Sequence, residues 1–286
     1  MKIQDKKIDF ILTVEVKNAN PNGDPLNGNM PRTDYNGYGE ISDVAIKRKI
    51  RNRWQDMGKE IFVKSNDRIN DDFKSLEKRF ENKFGKLSKN KKDEEIYKEC
   101  CEEWIDVRAF GQVITFQGKA IGIRGPISIS LAKSLSPVIV HTMQITRSTN
   151  GMEKEGKSSD TMGSKHYVEY GVYIVKGSIN CFFAEKTKFT DEDTKDLKEA
   201  LRTLFVNDAS SARPEGSMEV KELFWFEHGS KLGVTSTAKI NELLKYDTDD
   251  NIKNKYSDYN IRLDEEKIKE YKEKDPEFKV EKIEGI

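Results

Sequence analysis

One stretch of this chain matches a phosphate-binding loop letter for letter: GMEKEGKS at residues 151–158 fits the pattern GxxxxGK[ST]. Such a loop cradles phosphate oxygens with backbone N–H groups, and it needs a strand before it and an apolar helix after it. The residues that follow, SSDTMGSKH, cannot open a packed helix, and Glu153 and Glu155 would place negative charge inside an anion cradle. Nucleotide binding is therefore the weaker expectation here, and a polar, glycine-rich hairpin tip the stronger. The run Gly122-Ile123-Arg124-Gly125 fits the GXXG clamp of an RNA-binding module, but that clamp joins two helices. Here it lies in strand-like sequence, so a bulge or a close backbone approach is expected.

Metal and redox chemistry find little support. His141, His166 and His228 are far apart, and none has a second ligand at metal spacing. His166 alone adjoins a lysine and an aromatic strand. Cys100, Cys101 and Cys181 form neither a disulfide framework nor a CxxC pair, and the adjacent two read as helix packing in a reduced, cytoplasmic protein. Asp24 and Asp34 lie in a loop without an acid–base partner, and Asp24 in NGDP has an ordinary turn-forming role. No metal, cofactor or catalytic residue is expected.

The strongest signal for a ligand is a run of cations. Lys47, Arg48, Lys49, Arg51 and Arg53 follow one another with no acid between Asp43 and Asp56. A solvated helix face is the plain alternative, but on such faces opposite charges intersperse. On a helical wheel of ~100° per residue, Lys47 and Arg51 share a flank one turn apart, a spacing that can follow a phosphate backbone.

The elements that must position these residues show in the periodicities. Ile8, Phe10, Leu12, Val14 and Val16 alternate with Asp9, Thr13 and Glu15, as in a half-buried strand. A long loop rich in Asn, Pro and Gly follows (NANPNGDPLNGNMPR), and long ordered loops tend to be functional. Ser42 caps a helix whose apolar stripe is Ile46, Ile50, Trp54 and Met57. Phe73, Leu76, Phe80, Phe84 and Leu87 define a second helix, and Ile96, Tyr97, Cys100, Cys101 and Trp104 a third. Together they read as a helical insertion. Strand character returns at 113–131, 138–146 and 166–183. Thr190 with Asp193 opens another helix through a capping box, and 220–228 is a last strand. Beyond Leu244 the chain is charged, partly helical, and poor in apolar residues. Stripped of insertions the order is β-α-β-β-α-β, the ferredoxin-like arrangement that RNA-recognition modules share.

Composition sets outer limits. Apolar and charged residues each make up 35% of the 286 residues, and 50 cations balance 50 acids. A uniformly basic nucleic-acid binder is excluded, but segregated patches are not. Residues 105–168, for instance, carry eight Lys/Arg against four Asp/Glu. No stretch approaches the ~20 apolar residues of a membrane span, and MKIQDKKIDF has charges where a signal peptide needs its apolar run.

Several segments together, in order, resemble one family: NPNGDP, DVAIKRKIRN, DVRAFGQV, IRGPISIS, MQITRS, MGSKHYVEYGVY and NDASSARPEGSMEV. The chain is similar to the RAMP backbone subunits of type I CRISPR surveillance (Cascade) complexes, nearest to type I-C, over residues 8–235 or so. The resemblance implies an α+β fold with an RRM-like palm (1–57 and 105–244). It also implies a helical finger (58–104), a β-hairpin thumb (about 137–167) and a charged C-terminal extension (245–286). It implies a non-catalytic, antiviral function: several copies form a helical filament along guide RNA and kink it at intervals. Its bases stay free to pair with target DNA, so protein reads backbone while pairing reads sequence. The implied partners are neighbouring copies and the RNA-end-capping, large and small subunits, with no membrane. The implied RNA contacts are Asn20, Asn22, Arg32, Lys47, Arg48, Arg51, Gln144, Arg147, Lys165 and His166, with Met162 as a wedge at a kinked nucleotide. Related type III backbones cut target RNA with an aspartate and a metal, so Asp24 and Asp34 carry the alternative of cleavage.

Overall fold

The computed structural model describes residues 2–85, 91–146, 162–247 and 253–286. Strand β1 (Ile8–Ala19) lies at its centre. The loop after β1 is clipped by two short strands, β2 (Gly23–Asp24) and β3 (Met30–Pro31), and leads through β4 (Tyr38–Ile41) into helix α1 (Asp43–Asp56). Helices α2 (Leu76–Phe84), α3 (Asp93–Glu103) and α4 (Ile105–Phe110) precede a hairpin of β5 (Gly111–Ile114) and β6 (Ile121–Arg124). Strands β7 (Ile127–Ile129), β8 (Ala132–Pro137), β9 (Val140–Thr146) and the long β10 (Met162–Ile179) follow. Then come α5 (Cys181–Thr187), α6 (Asp191–Arg202) and β11 (Met218–Glu227). The chain closes with α7 (Thr237–Asn241), β12 (Leu244–Lys245), β13 (Arg262–Leu263), α8 (Glu265–Lys274) and β14 (Lys279–Glu284).

The main sheet is antiparallel, in the order β14-β11-β1-β10-β8-β4, with β7 and β9 also paired to β10. The fold is thus mixed α+β. Phe10, Leu12, Val14 and Val16 of β1 point to one face, where they meet Ile46, Ile50 and Trp54 of α1 and Leu197 and Leu201 of α6. Both helices start where their caps require. Ser42 accepts from the Ala45 N–H, and Thr190 and Asp193 form a reciprocal capping box.

The second face of β1 departs from the half-buried strand that its alternation predicts. Asp9, Thr13 and Glu15 are as buried as their apolar neighbours. The C-terminal residues, sparse in apolar side chains, supply just enough of them: Tyr259, Ile268, Tyr271 and Phe278 pack over Ile11, Val172, Phe224 and Phe226. The polar row survives because each member is partnered, as buried polar groups must be. His228 Nδ1 accepts from the Val234 N–H at 3.0 Å, so its proton sits on Nε2 and is donated to Asp9 Oδ2 at 2.9 Å. The hydroxyls of Thr13 and Tyr256 lie 2.9 Å apart, and Tyr256 donates to Glu222 Oε2 at 2.8 Å. Glu15 accepts from the Tyr170 hydroxyl at 2.9 Å and pairs with Lys17. Burial pushes the Tyr170 and Tyr256 hydroxyls well above the ordinary phenol range.

A smaller apolar cluster joins the helical insertion to the β5–β6 hairpin: Phe62, Phe80, Phe84, Ile96 and Trp104 pack on Ile114, Ile121 and Ile123. Cys100 and Cys101 sit inside it, and burial pushes both thiols up to about 12. Ser75 caps α2, so Phe73 precedes this helix rather than joining it, and Leu87 lies outside the described residues. The segment 166–183, expected to be strand throughout, stops at Ile179. There Asn180 accepts from the Phe182 N–H and turns the chain into α5. Gly125 explains the GXXG run, since a Cβ there would fall on the Ala109 carbonyl. No described helix is long and apolar enough to cross a membrane.

Candidate nucleic-acid interface

A cleft of about 370 Å³ opens where the loop after β1, one flank of α1, the turn at 65–68 and the segment 207–213 converge. Asn22, Arg48, Lys49, Asn52, Arg68 and Arg213 are among its lining residues. The lining carries Arg48, Lys49, Arg68 and Arg213 against Asp67 and Asp208, so it is net cationic, although Arg68 also pairs with Asp56 at 2.6 Å and Arg213 lies 3.8 Å from Asp208.

The loop itself is held by the residues expected to touch RNA. Asn20 Nδ2 donates to the Asn29 carbonyl at 2.7 Å, and the Asn20 N–H to the Ala212 carbonyl at 2.9 Å. Asn22 Oδ1 accepts from the Ser42 N–H at 2.9 Å and so ties the loop to the start of α1. Arg32 donates to Asp24 Oδ1 at 3.2 Å, the same oxygen that accepts from the Leu26 N–H. Asp34 accepts from the Asn36 and Tyr38 N–H groups and from Lys133 at 2.8 Å, and the Lys133 bond is the main cause that holds its carboxyl below the ordinary range.

The five cations of α1 have different fates. Lys47 pairs with Asp43 one turn back at 2.9 Å. Arg48 donates to the Val63 carbonyl at 2.7 Å, and burial pulls its pKa down. Lys49 is buried against Asp208, and burial likewise lowers its pKa. Arg51 Nε reaches the fully buried Asp106 at 2.9 Å and lies over the Phe110 ring. Arg53 donates to Thr203 Oγ1 at 2.7 Å. Lys47 and Arg51 therefore do not form the free phosphate-following flank that their spacing suggests; each meets a carboxylate of the same chain. Arg48 has no carboxylate at ion-pair distance among the described residues.

Asn52, Arg68 and Arg213 were not legible as site residues. Asn52 is an uncharged member of the basic helix, and Arg68 sits in the charged insertion. Arg213 had one available signal, its place in the NDASSARPEG run. Asn52 Oδ1 and Arg213 Nε are buried without a hydrogen-bond partner among the described residues.

A second feature projects from the sheet. Residues 162–167 of β10 pair only with β9, as a two-stranded ribbon. Its register puts Gln144, Met162 and His166 on one face with Thr142 and Ser164, and Lys165 on the other with Met143. Gln144 Nε2 lies 3.0 Å from Met162 Sδ, and Thr142 Oγ1 lies 2.9 Å from His166 Nδ1. Arg147 and the phosphate-loop pattern at 151–158 lie outside the described residues. The next described element after that pattern is strand β10, where a phosphate-binding loop requires a helix. Among the described residues, no three His, Cys, Asp or Glu side chains converge as a metal site would need.

A family model described as CRISPR-associated protein Cas7 matches residues 6–264. A CRISPR-associated protein Cas7 from Haloferax volcanii is 24% identical over 212 residues, which is 66% of this chain and 61% of that relative. The match thus spans less than two thirds of the relative's length. A solved chain described as a CRISPR RNA-guided surveillance complex, pre-nicking, superposes with a TM-score of 0.50 at 12% identity, over 77% of this chain and 78% of that one. Another, from a CRISPR RNA-guided surveillance complex, gives 0.45 at 13% identity, over 77% and 68%. At such identities the first likeness is one of fold.

Proposed function

The chain belongs to the CRISPR-associated protein Cas7 family, and from that premise we propose that it is a guide-RNA-binding backbone subunit of a type I-C CRISPR surveillance complex. The observation that carries this function is the net cationic cleft beside the loop after β1, with Arg48 and Arg213 at its wall and, among the described residues, no carboxylate at ion-pair distance from Arg48. Phosphates of the guide lie along Arg48 and Arg213, while Arg68, held by Asp56, shapes the cleft, and a ribose hydroxyl or base amino group donates to Asn52 Oδ1. Asn20, Asn22, Arg32, Lys47 and Arg51 act mainly by shaping the cleft, through the contacts described above.

The β11-β1-β10-β8 strand order supports an RRM-like palm. The cluster around Phe80 and Trp104 then serves as the finger, and the β9–β10 ribbon as the thumb. Copies stack along the guide, and the face bearing Gln144, Met162 and His166, together with Arg147, meets RNA held by the neighbour. Lys165, on the opposite face, reaches backbone only from the ribbon edge. The kinked guide presents bases to target DNA, and end-capping, large and small subunits complete the assembly. The chain itself cuts nothing: Asp24 and Asp34 serve the turns of their loop.

The test is purification under native conditions, then extraction and sequencing of bound nucleic acid. A discrete, guide-length RNA is expected. Nucleotide-dependent turnover without RNA, or metal-dependent RNA cutting that disappears in Asp24→Ala or Asp34→Ala, would overturn the proposal.

A further inference from the structure

Helix α5 builds a surface that shares no residue with the cleft. Cys181, Ala184 and Thr187 are fully buried, which turns Phe182, Phe183, Glu185 and Lys186 outward. The helix is pinned in place: the Asn180 N–H donates to the Pro126 carbonyl at 2.9 Å, and Asn180 Oδ1 caps the Phe182 N–H. That seats α5 beside the end of β6. There the Arg124 guanidinium lies 4.3 Å from the Phe183 ring centroid and Lys186 Nζ lies 5.6 Å from it. Phe182 is 46% exposed, with Lys231 at 5.8 Å from its ring.

The charges around these rings are unbalanced. Glu185 is taken by Lys231. Among the described residues, Arg124 and Lys186 have no carboxylate at ion-pair distance, and Lys188 extends the same cationic run. Most other cations among the described residues are paired with carboxylates. A protein partner would need an acidic surface alone, but an exposed ring, Phe182, on the helix whose next ring carries two cations without a carboxylate partner among the described residues fits bases and phosphates together. Aromatic rings stack any base, and neighbouring cations follow the backbone, which is the pattern of single-strand binding without sequence preference.

We propose that Phe182, Arg124 and Lys186 form a second nucleic-acid surface, which holds a single strand other than the one in the cleft. This rests on the proposal that the chain acts on nucleic acid, but it is tested apart from it. Phe182 stacks a base, and Arg124 and Lys186, steadied against Phe183, neutralise adjacent phosphates.

The experiment uses the full chain saturated with unlabelled guide-length RNA. A labelled, non-pairing single-stranded DNA is then titrated in, with fluorescence anisotropy as the readout. Binding of the DNA is expected. Phe182→Ala should weaken it by about fivefold to a hundredfold, and Phe182→Trp should restore it. Arg124→Gln with Lys186→Gln should lower the log–log salt slope by about 1.4, at about 0.7 per contact on a single strand. Arg48→Ala with Arg213→Ala should weaken RNA loading and leave the patch intact, so the two proposals fail separately. Equal DNA affinity in wild type and Phe182→Ala overturns the inference. So does competition by polyglutamate that matches competition by DNA, since a purely electrostatic, protein-directed surface would behave that way.

Discussion

Two cationic regions of this molecule invert what their sequences suggest. Helix α1 concentrates five cations in seven residues, yet Lys47, Lys49 and Arg51 are each closed by a carboxylate of the chain and Arg53 by a hydroxyl. The α5 surface draws Arg124, Lys186 and Lys188 from separate segments, and Arg124 and Lys186 face aromatic rings instead of acids. A dense run of like charge must be neutralised if the helix that carries it is to pack on a sheet, because an uncompensated buried charge is far costlier than a paired one. Scattered surface cations meet no such demand. Density of charge along a sequence is therefore a poor guide to which cations stay available for a ligand.

The difference is sharpest in stability. Arg51→Ala leaves the fully buried Asp106 with only the Phe62 and Val63 N–H groups, and it should cost about 3–5 kcal/mol. Urea unfolding of the variant measures this; a loss below 1 kcal/mol would mean that the pair is not a structural one.

Acid should weaken the carboxylates that close the internally paired cations. In the helical insertion Arg79, then Lys64, hold the Asp71 carboxyl well below its ordinary value. A carboxyl depressed in the folded state contributes stability that is complete above its unfolded pKa, near 4, and is lost as pH falls toward the folded value. Thermal midpoints from pH 6 to pH 2 should thus fall more steeply in wild type than in Asp71→Asn, which starts lower. Parallel curves would contradict the assignment.

Binding comes next in size. Arg48→Ala with Arg213→Ala should weaken RNA affinity uniformly across sequences and lower the log–log salt slope by about 1.4. Lys47→Ala, by contrast, removes a cation already engaged by Asp43 and should change the slope far less. Equal slopes in the two variants would erase the distinction drawn within α1. The smallest effect belongs to the α5 surface: Lys186→Ala should move stability by no more than about 0.5 kcal/mol, as calorimetry would show.

Much of the frame was legible from local chemistry. The Ser42 cap, the Thr190–Asp193 box, the strand at β1 and the stripe at 96–104 each depend on residues within one or two turns and appear where they were expected. The stripe expected over 73–87 is helical only over 76–84 among the described residues. The long loop after β1 was marked as a candidate site, and residues of it line the cleft beside α1. What it contacts was not legible, because Ala212 and Arg213 close on Asn20 from far along the chain, 193 residues away for Arg213.

The sequence by itself determined where most helices and strands begin, and that the chain mixes α and β elements. Propensity, capping and periodicity act over a few residues, and a chain carries them wherever it goes. Only the tertiary structure decided which polar groups are free. Asp106 and Asp208 reach Arg51 and Lys49 across 55 and 159 residues. Tyr256 crosses more than 240 residues to cover Thr13, and so buries a strand face that alternation had assigned to water. Availability of a charge or hydroxyl depends on what stands within about 4 Å of it, where Coulomb and hydrogen-bond energies are large. No local pattern encodes that neighbour.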